Sequence, residues 1–218
     1  MNYADLLTSW NTDEGKPYKG SLIDWDAYGA DPANVGCMCA QGQALHMLAG
    51  WTPQKLRDVP QVEADAATAT LFNISRAHAV LLRTINDKSD GAPAVVLTDP
   101  GKVIGDQWSK LLDFWAHLDS LTHEQWVAAW DAAGGDAAWG AARDAAGVAA
   151  WGAARGAARD AARDAAWVAA GVAAGASWEI QGAEVLRAQG KPFFFVPAFG
   201  VASPDDIPAR PADYGIPT

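Results

Sequence analysis

The chain has 218 residues, half of them hydrophobic and 19% charged, with only two cysteines. That length admits one compact domain or two small ones, the apolar share excludes a generic disordered chain, and the cysteine count excludes a disulfide scaffold. Sixteen basic against 26 acidic side chains leave a formal charge of −10, which repels nucleic-acid backbones and anionic lipid headgroups alike.

At the start of the chain, Met1 to Leu7 carries no basic stretch followed by an apolar run, which predicts neither secretion nor insertion and points to the cytoplasm. Residues 1–35 mix aromatics (Tyr3, Trp10, Tyr18, Trp25, Tyr28) with turn formers such as Gly15, Pro17, Gly20 and Pro32. This mixture predicts a short helix and then ordered loops pinned to a core by their rings. Ala40 to Leu48 reads as a helix ended near Gly50, and Gln54 to Arg57 adds a turn behind Pro53. Ile74, Ala77, Val80, Leu81 and Ile85 recur at helical spacing, with a cap at Asn73 or Ser75 and a stop at Asn86-Asp87. Ala94 to Leu97 fits a short strand or an extended connector. Thr98-Asp99-Pro100 then supplies a cap and a first-turn proline for a segment reaching Trp115. Thr122 and Gln125 have capping-box spacing and open a further helix.

From Trp126 to Trp178 the chain is built from 25 Ala, 8 Gly, 6 Trp, 5 Asp, 4 Arg, 4 Val and 1 Ser, mostly in tetrads that end in Ala-Ala. Alanine favours helix, and the Gly134-Gly135 pair marks a break between packed helices. Four residues advance 400° around a helix, so the small-residue face winds by about 40° per tetrad and suits tight, supercoiled packing. Trp139, Trp151 and Trp167 with Arg155, Arg159 and Arg163 are the candidate contact residues, since both types are enriched where proteins meet; the alternative is that the Trp rings fill gaps against the first 120 residues while Arg solvates the outside. The block has a charge of only −1 and no lysine, which disfavours a nucleic-acid stacking platform. After it, Glu179 to Gln189 reads as a helix stopped at Gly190, Phe193-Phe194-Phe195 calls for burial, and a proline-rich end follows from Ser203.

Few patterns carry chemistry. Cys39 precedes the helix beginning at Ala40, where the partial positive charge of the helix start lowers a thiol pKa, and His46 is a base within the same helix. Cys37-Met38-Cys39 with His46 also has the donors for a soft metal, although no second cysteine pair accompanies them and buried structural thiols explain them as well. Asp24, Asp26 and Asp31 among Trp25 and Tyr28 make either an acid/base cluster or a solvated loop. The phosphate-loop, dinucleotide, zinc-protease and serine-hydrolase motifs are missing, and no cofactor is indicated.

Gly36 to Leu45, Ile85-Asn86-Asp87 and the segment from Val103 to Trp115 together resemble a group of uncharacterised alanine-rich small proteins of actinobacteria and their phages. The resemblance implies an origin and no mechanism. The sequence thus predicts a mainly α protein in three parts: a helical region over 1–121, tetrad-repeat helices over 122–178, and a helix with an extended tail over 179–218 that packs on the rest. The expected function is non-enzymatic protein interaction or self-assembly without nucleic acid or membrane, with a Cys39–His46 enzyme or a metal-binding module as the alternatives.

Overall fold

A computed structural model describes residues 1–88, 93–104, 108–125, 199–202 and 204–215. The tetrad block, the helix read over 179–189 and the Phe193-Phe194-Phe195 run lie outside the described residues. What is described is mainly α. Its helices in chain order are α1 (Tyr3–Ser9), α2 (Trp25–Ala30), α3 (Ala40–Met47), α4 (Pro53–Asp58), α5 (Gln61–Phe72), α6 (Arg76–Lys88), α7 (Val95–Thr98), α8 (Gly101–Ile104) and α9 (Trp108–Ser120). Strand-type pairing among the described residues is confined to one isolated antiparallel bridge between Ile23 and Met38.

Most starts are set by short polar side chains that satisfy the first free amides of the helix. Asn2 and Asp5 form a reciprocal capping box on α1, Asp24 accepts from Asp26 and Ala27 at α2, and Thr52 accepts from Lys55 ahead of Pro53 at α4. Thr122 and Gln125 make the capping box that their spacing predicts, with Thr122 N donating to Gln125 Oε1 at 2.8 Å and Gln125 N donating to Thr122 Oγ1 at 3.3 Å. Asn73 and Ser75 divide the work at the next junction. Asn73 has φ +48 and closes α5 in a left-handed turn in which Ile74 N donates to Ala69 O, whereas Ser75 Oγ accepts from His78 N and starts α6.

One reading changes. Val95–Thr98 is a helical turn rather than a strand, because its amides bond backward: Thr98 N donates to Ala94 O and Asp99 N to Val95 O. The segment behind Pro100 contains α8 and α9, and residues 105–107 lie outside the described residues. The helix α5 has no clear counterpart in the sequence pattern, since Gln61-Val-Glu-Ala-Asp-Ala-Ala-Thr-Ala-Thr-Leu-Phe72 spreads its small and apolar residues around the whole circumference.

The central element is α6, which packs against α3, α5, α7 and α9. It is buried on almost every side, from Ala77 to Leu82 and again at Thr84, Ile85 and Asn86. One apolar cluster joins Leu6, Trp10, Phe72, Val80, Leu81, Phe114, Trp115 and Leu118, and it also takes in Phe199 and Val201 from the returning chain. A second joins Leu22, Ile23, Cys37, Met38, Cys39, Leu45, Leu56 and Ala64. Of the early aromatics, Trp10 is buried while Tyr18 remains 36% exposed.

The end of the chain comes back onto this body. Arg210 pairs with Asp113 and donates to Ser109 O, Lys110 pairs with Asp205, and Gly215 N donates to Asn73 O at 2.8 Å. Phe199 O accepts from His117 Nε2 at 2.9 Å, so Phe199 is fastened to the last turn of α9.

Candidate functional site

The start of α3 gathers the residues with the strongest chemical signal in the sequence. Cys39 is its N-cap, and Sγ accepts from Gly42 N at 3.4 Å. The thiol is wholly buried. Desolvation pushes it up from 9.0 to about 12, outweighing the favourable amide contacts, so the helix start does not deliver the low pKa that position alone predicts. Cys37 is likewise buried and raised, first by desolvation and then by the carboxylates of Asp24 and Asp31.

His46 sits two turns further along. Its Nδ1 lies 2.7 Å from Trp51 O, and since a carbonyl only accepts, that nitrogen carries the proton and is committed to the turn closing α3. The structure therefore gives Cys39 and His46 separate partners and shows no hydrogen bond between them. No group of three or more His, Cys, Asp or Glu side chains is arranged to hold a metal ion among the described residues.

Between these two residues lie glutamines whose roles the sequence did not announce. Gln43, fully buried, accepts from Trp10 Nε1 at 3.0 Å and shares its two amide hydrogens among Gly15 O, Val35 O and Met38 O at 3.1–3.2 Å. It fastens α1 and both N-terminal loops to α3. Gln41 donates to Asp65 Oδ1 at 2.9 Å and to Ala79 O at 3.0 Å, joining α3 to α5 and α6. Asp65 Oδ1 also accepts from Gln61 Nε2 at 3.0 Å and Arg83 Nε at 3.3 Å. Its Oδ2 is buried with no hydrogen-bond partner among the described residues. A carboxylate with one oxygen ringed by three donors and its side chain 1% exposed is held as a structural ion pair.

The remaining candidates also serve the scaffold. Asp24 caps α2, while Asp31 accepts from Ala33 N at 3.1 Å in the loop that follows. Asn86 and Asp87 reach further than the local capping expected of them. Asn86 Oδ1 accepts from Ala40 N, its Nδ2 donates to Tyr18 O at 2.8 Å, and Asp87 accepts from Gly20 N.

A second constellation was not visible in the sequence, because its members are separated by 136 positions. His78 on α6 is buried, with Tyr214 of the tail covering its Nδ1 side. Its Nε2 lies 2.8 Å from Val96 O, so Nε2 carries the proton, and Nδ1 accepts from the Tyr214 hydroxyl at 3.1 Å. That hydroxyl accepts from Ser75 N at 3.1 Å and meets Ser75 Oγ at 3.2 Å. The two rings stack 6.0 Å apart at 15°. The Val96 carbonyl needs this partner because the donor four residues on would be Pro100, which has no amide hydrogen. Desolvation, with a further contribution from Arg210, lowers His78 from 6.5 to about 4 against the opposing bond to Val96 O, so the ring is neutral near pH 7.

The contact residues expected from the tetrads, Trp139, Trp151, Trp167, Arg155, Arg159 and Arg163, lie outside the described residues. Compared with protein-family models, with curated proteins and with solved structures, the chain has no match in any of the three.

Proposed function

We propose that the protein acts without catalysis, as a self-assembling interaction protein in which a closed helical body presents the tetrad segment to other copies. In this reading it is phage-encoded and works in the host cytoplasm, and Trp139, Trp151, Trp167, Arg155, Arg159 and Arg163 make the contacts. The observation that carries the reading is that Phe199, beyond the tetrad segment, is bonded to the last turn of α9, the helix that precedes that segment. The body thus holds both ends of the segment.

Two further features support it. The side chains of the body with chemical potential are committed internally: Cys39 to a helix start, His46 to a turn, Asp65 to Arg83, and His78 to Val96 and Tyr214. Copies of a chain with net charge −10 repel one another, and residues 126–178, at −1, are where that repulsion is weakest. No helix among the described residues is long and apolar enough to cross a membrane.

Sedimentation velocity over a wide range of concentration tests the proposal on the full chain. Association is expected for the native sequence, and conversion to monomer for the combined variant W139A, W151A and W167A with the helical signal of the body retained. A native chain that sediments as monomer at every concentration would overturn the reading.

A further inference from the structure

We propose that residues 204–215 form a strap fastened to the body by a proton-sensitive clasp, in which the neutral His78 ring joins Tyr214 to Val96 with a partner for every hydrogen. The clasp does not depend on assembly.

Every proton in the clasp has a place. Nε2–H of His78 donates to Val96 O, which accepts only, and the Tyr214 O–H donates to the lone pair on Nδ1. The Tyr214 oxygen in turn accepts from Ser75 N, and Ser75 Oγ, which accepts from His78 N, donates its own hydrogen to the same oxygen. A second proton on the ring leaves one hydrogen too many. Nδ1 would donate to the Tyr214 oxygen, the hydroxyl hydrogen would turn to Ser75 Oγ, and the Ser75 hydrogen would lose its acceptor in a buried site.

The charged groups around the ring oppose protonation or are engaged elsewhere. From the strap, Arg210 contributes a positive charge that disfavours an imidazolium. From α9, Asp113 is paired with Arg210, and Asp119 accepts from Arg76 N at 2.8 Å. The residues of α7, Val95-Val96-Leu97-Thr98, carry no charge, and the flanking Asp99 pairs with Lys102. When the strap lifts, the Nδ1 side of the ring meets water and its pKa rises toward the ordinary 6.5. The closed state therefore has its full advantage above pH 6.5 and loses it as pH falls from there toward about 4. With 6.5 as the upper limit for the open ring, the closing equilibrium weakens by up to about thirtyfold between pH 7.5 and pH 5, before most carboxylates titrate.

The test uses the full chain, with histidine ring nitrogens followed by NMR and amide exchange measured against the intrinsic rate at each pH. His78 is expected as the Nε2–H tautomer at neutral pH. Protection of the Gly215 amide, which donates to Asn73 O, is expected to fall at least tenfold between pH 7.5 and pH 5, while the Gln43 and Leu48 amides of α3 change less than twofold. H78Q, which cannot take up a proton, should flatten the Gly215 response over that range. Y214F, which leaves the core side chains in place, should move the His78 ionisation toward 6.5 and lower Gly215 protection at pH 7.5. Gly215 protection that stays constant across the window, loss of protection at Gly215 and Gln43 together, or a His78 ionisation unmoved by Y214F would each overturn the proposal.

Discussion

Gln43 shows how a single side chain can organise this protein. Out of contact with water, it answers the Trp10 indole and reaches carbonyls from Gly15, Val35 and Met38, so α1 and the loops up to α3 converge on one amide. Removing it strands groups that cannot find solvent, and Q43A should cost about 2–4 kcal/mol in urea denaturation. A loss under about 0.5 kcal/mol would mean that the loops hold themselves. Cys39 tests burial in the opposite sense. A thiol raised from 9.0 to about 12 holds about a thousandfold less thiolate near neutral pH. An aromatic disulfide reagent at pH 8 should therefore modify native Cys39 at least about a hundredfold more slowly than the same thiol in denaturant. Equal rates would put Cys39 at the surface and reopen a nucleophilic role for it.

At the scale of elements, α3 depends on a close approach that only glycine permits. A Cβ on Gly42 would meet Leu22 O at 2.0 Å, a main-chain atom in the loop that pairs with residues 37–39, since Cys39 N also donates to Leu22 O. G42A should cost more than about 2 kcal/mol in thermal or chemical unfolding and loosen the second apolar cluster, whereas an unchanged midpoint would contradict the packing described. Local chemistry made several elements legible. Pro53 and the Thr122/Gln125 pair state their own helix starts, and the apolar spacing from Ile74 to Ile85 states α6. The helix α5 escaped because alanine and threonine around its whole circumference leave no stripe to read. At Val95–Thr98 a β-branched pair suggested a strand, but four residues ending before Pro100 have no neighbouring strand among the described residues, and their amides close a helical turn instead. The candidate site was less legible for a physical reason. Cys39 and His46 are close in sequence yet bonded to different partners, whereas Asp65 with Arg83 and His78 with Tyr214 are joined only by tertiary packing.

For the whole molecule, the tail is joined to the helical region. Phe199 and Val201 belong to its apolar cluster, while Arg210 and Tyr214 tie residues 204–215 to α9 and α6. A body closed in this way leaves the tetrad segment as the part of the chain with a weak charge and a surplus of Trp and Arg, the composition on which the assembly proposal depends. Amide exchange of the full chain by mass spectrometry, compared between dilute and concentrated protein, tests this most directly. The account predicts that peptides from residues 126–178 gain protection on concentration while those from α3, α5 and α6 stay unchanged. Protection gained on those three helices, with none in residues 126–178, would contradict it.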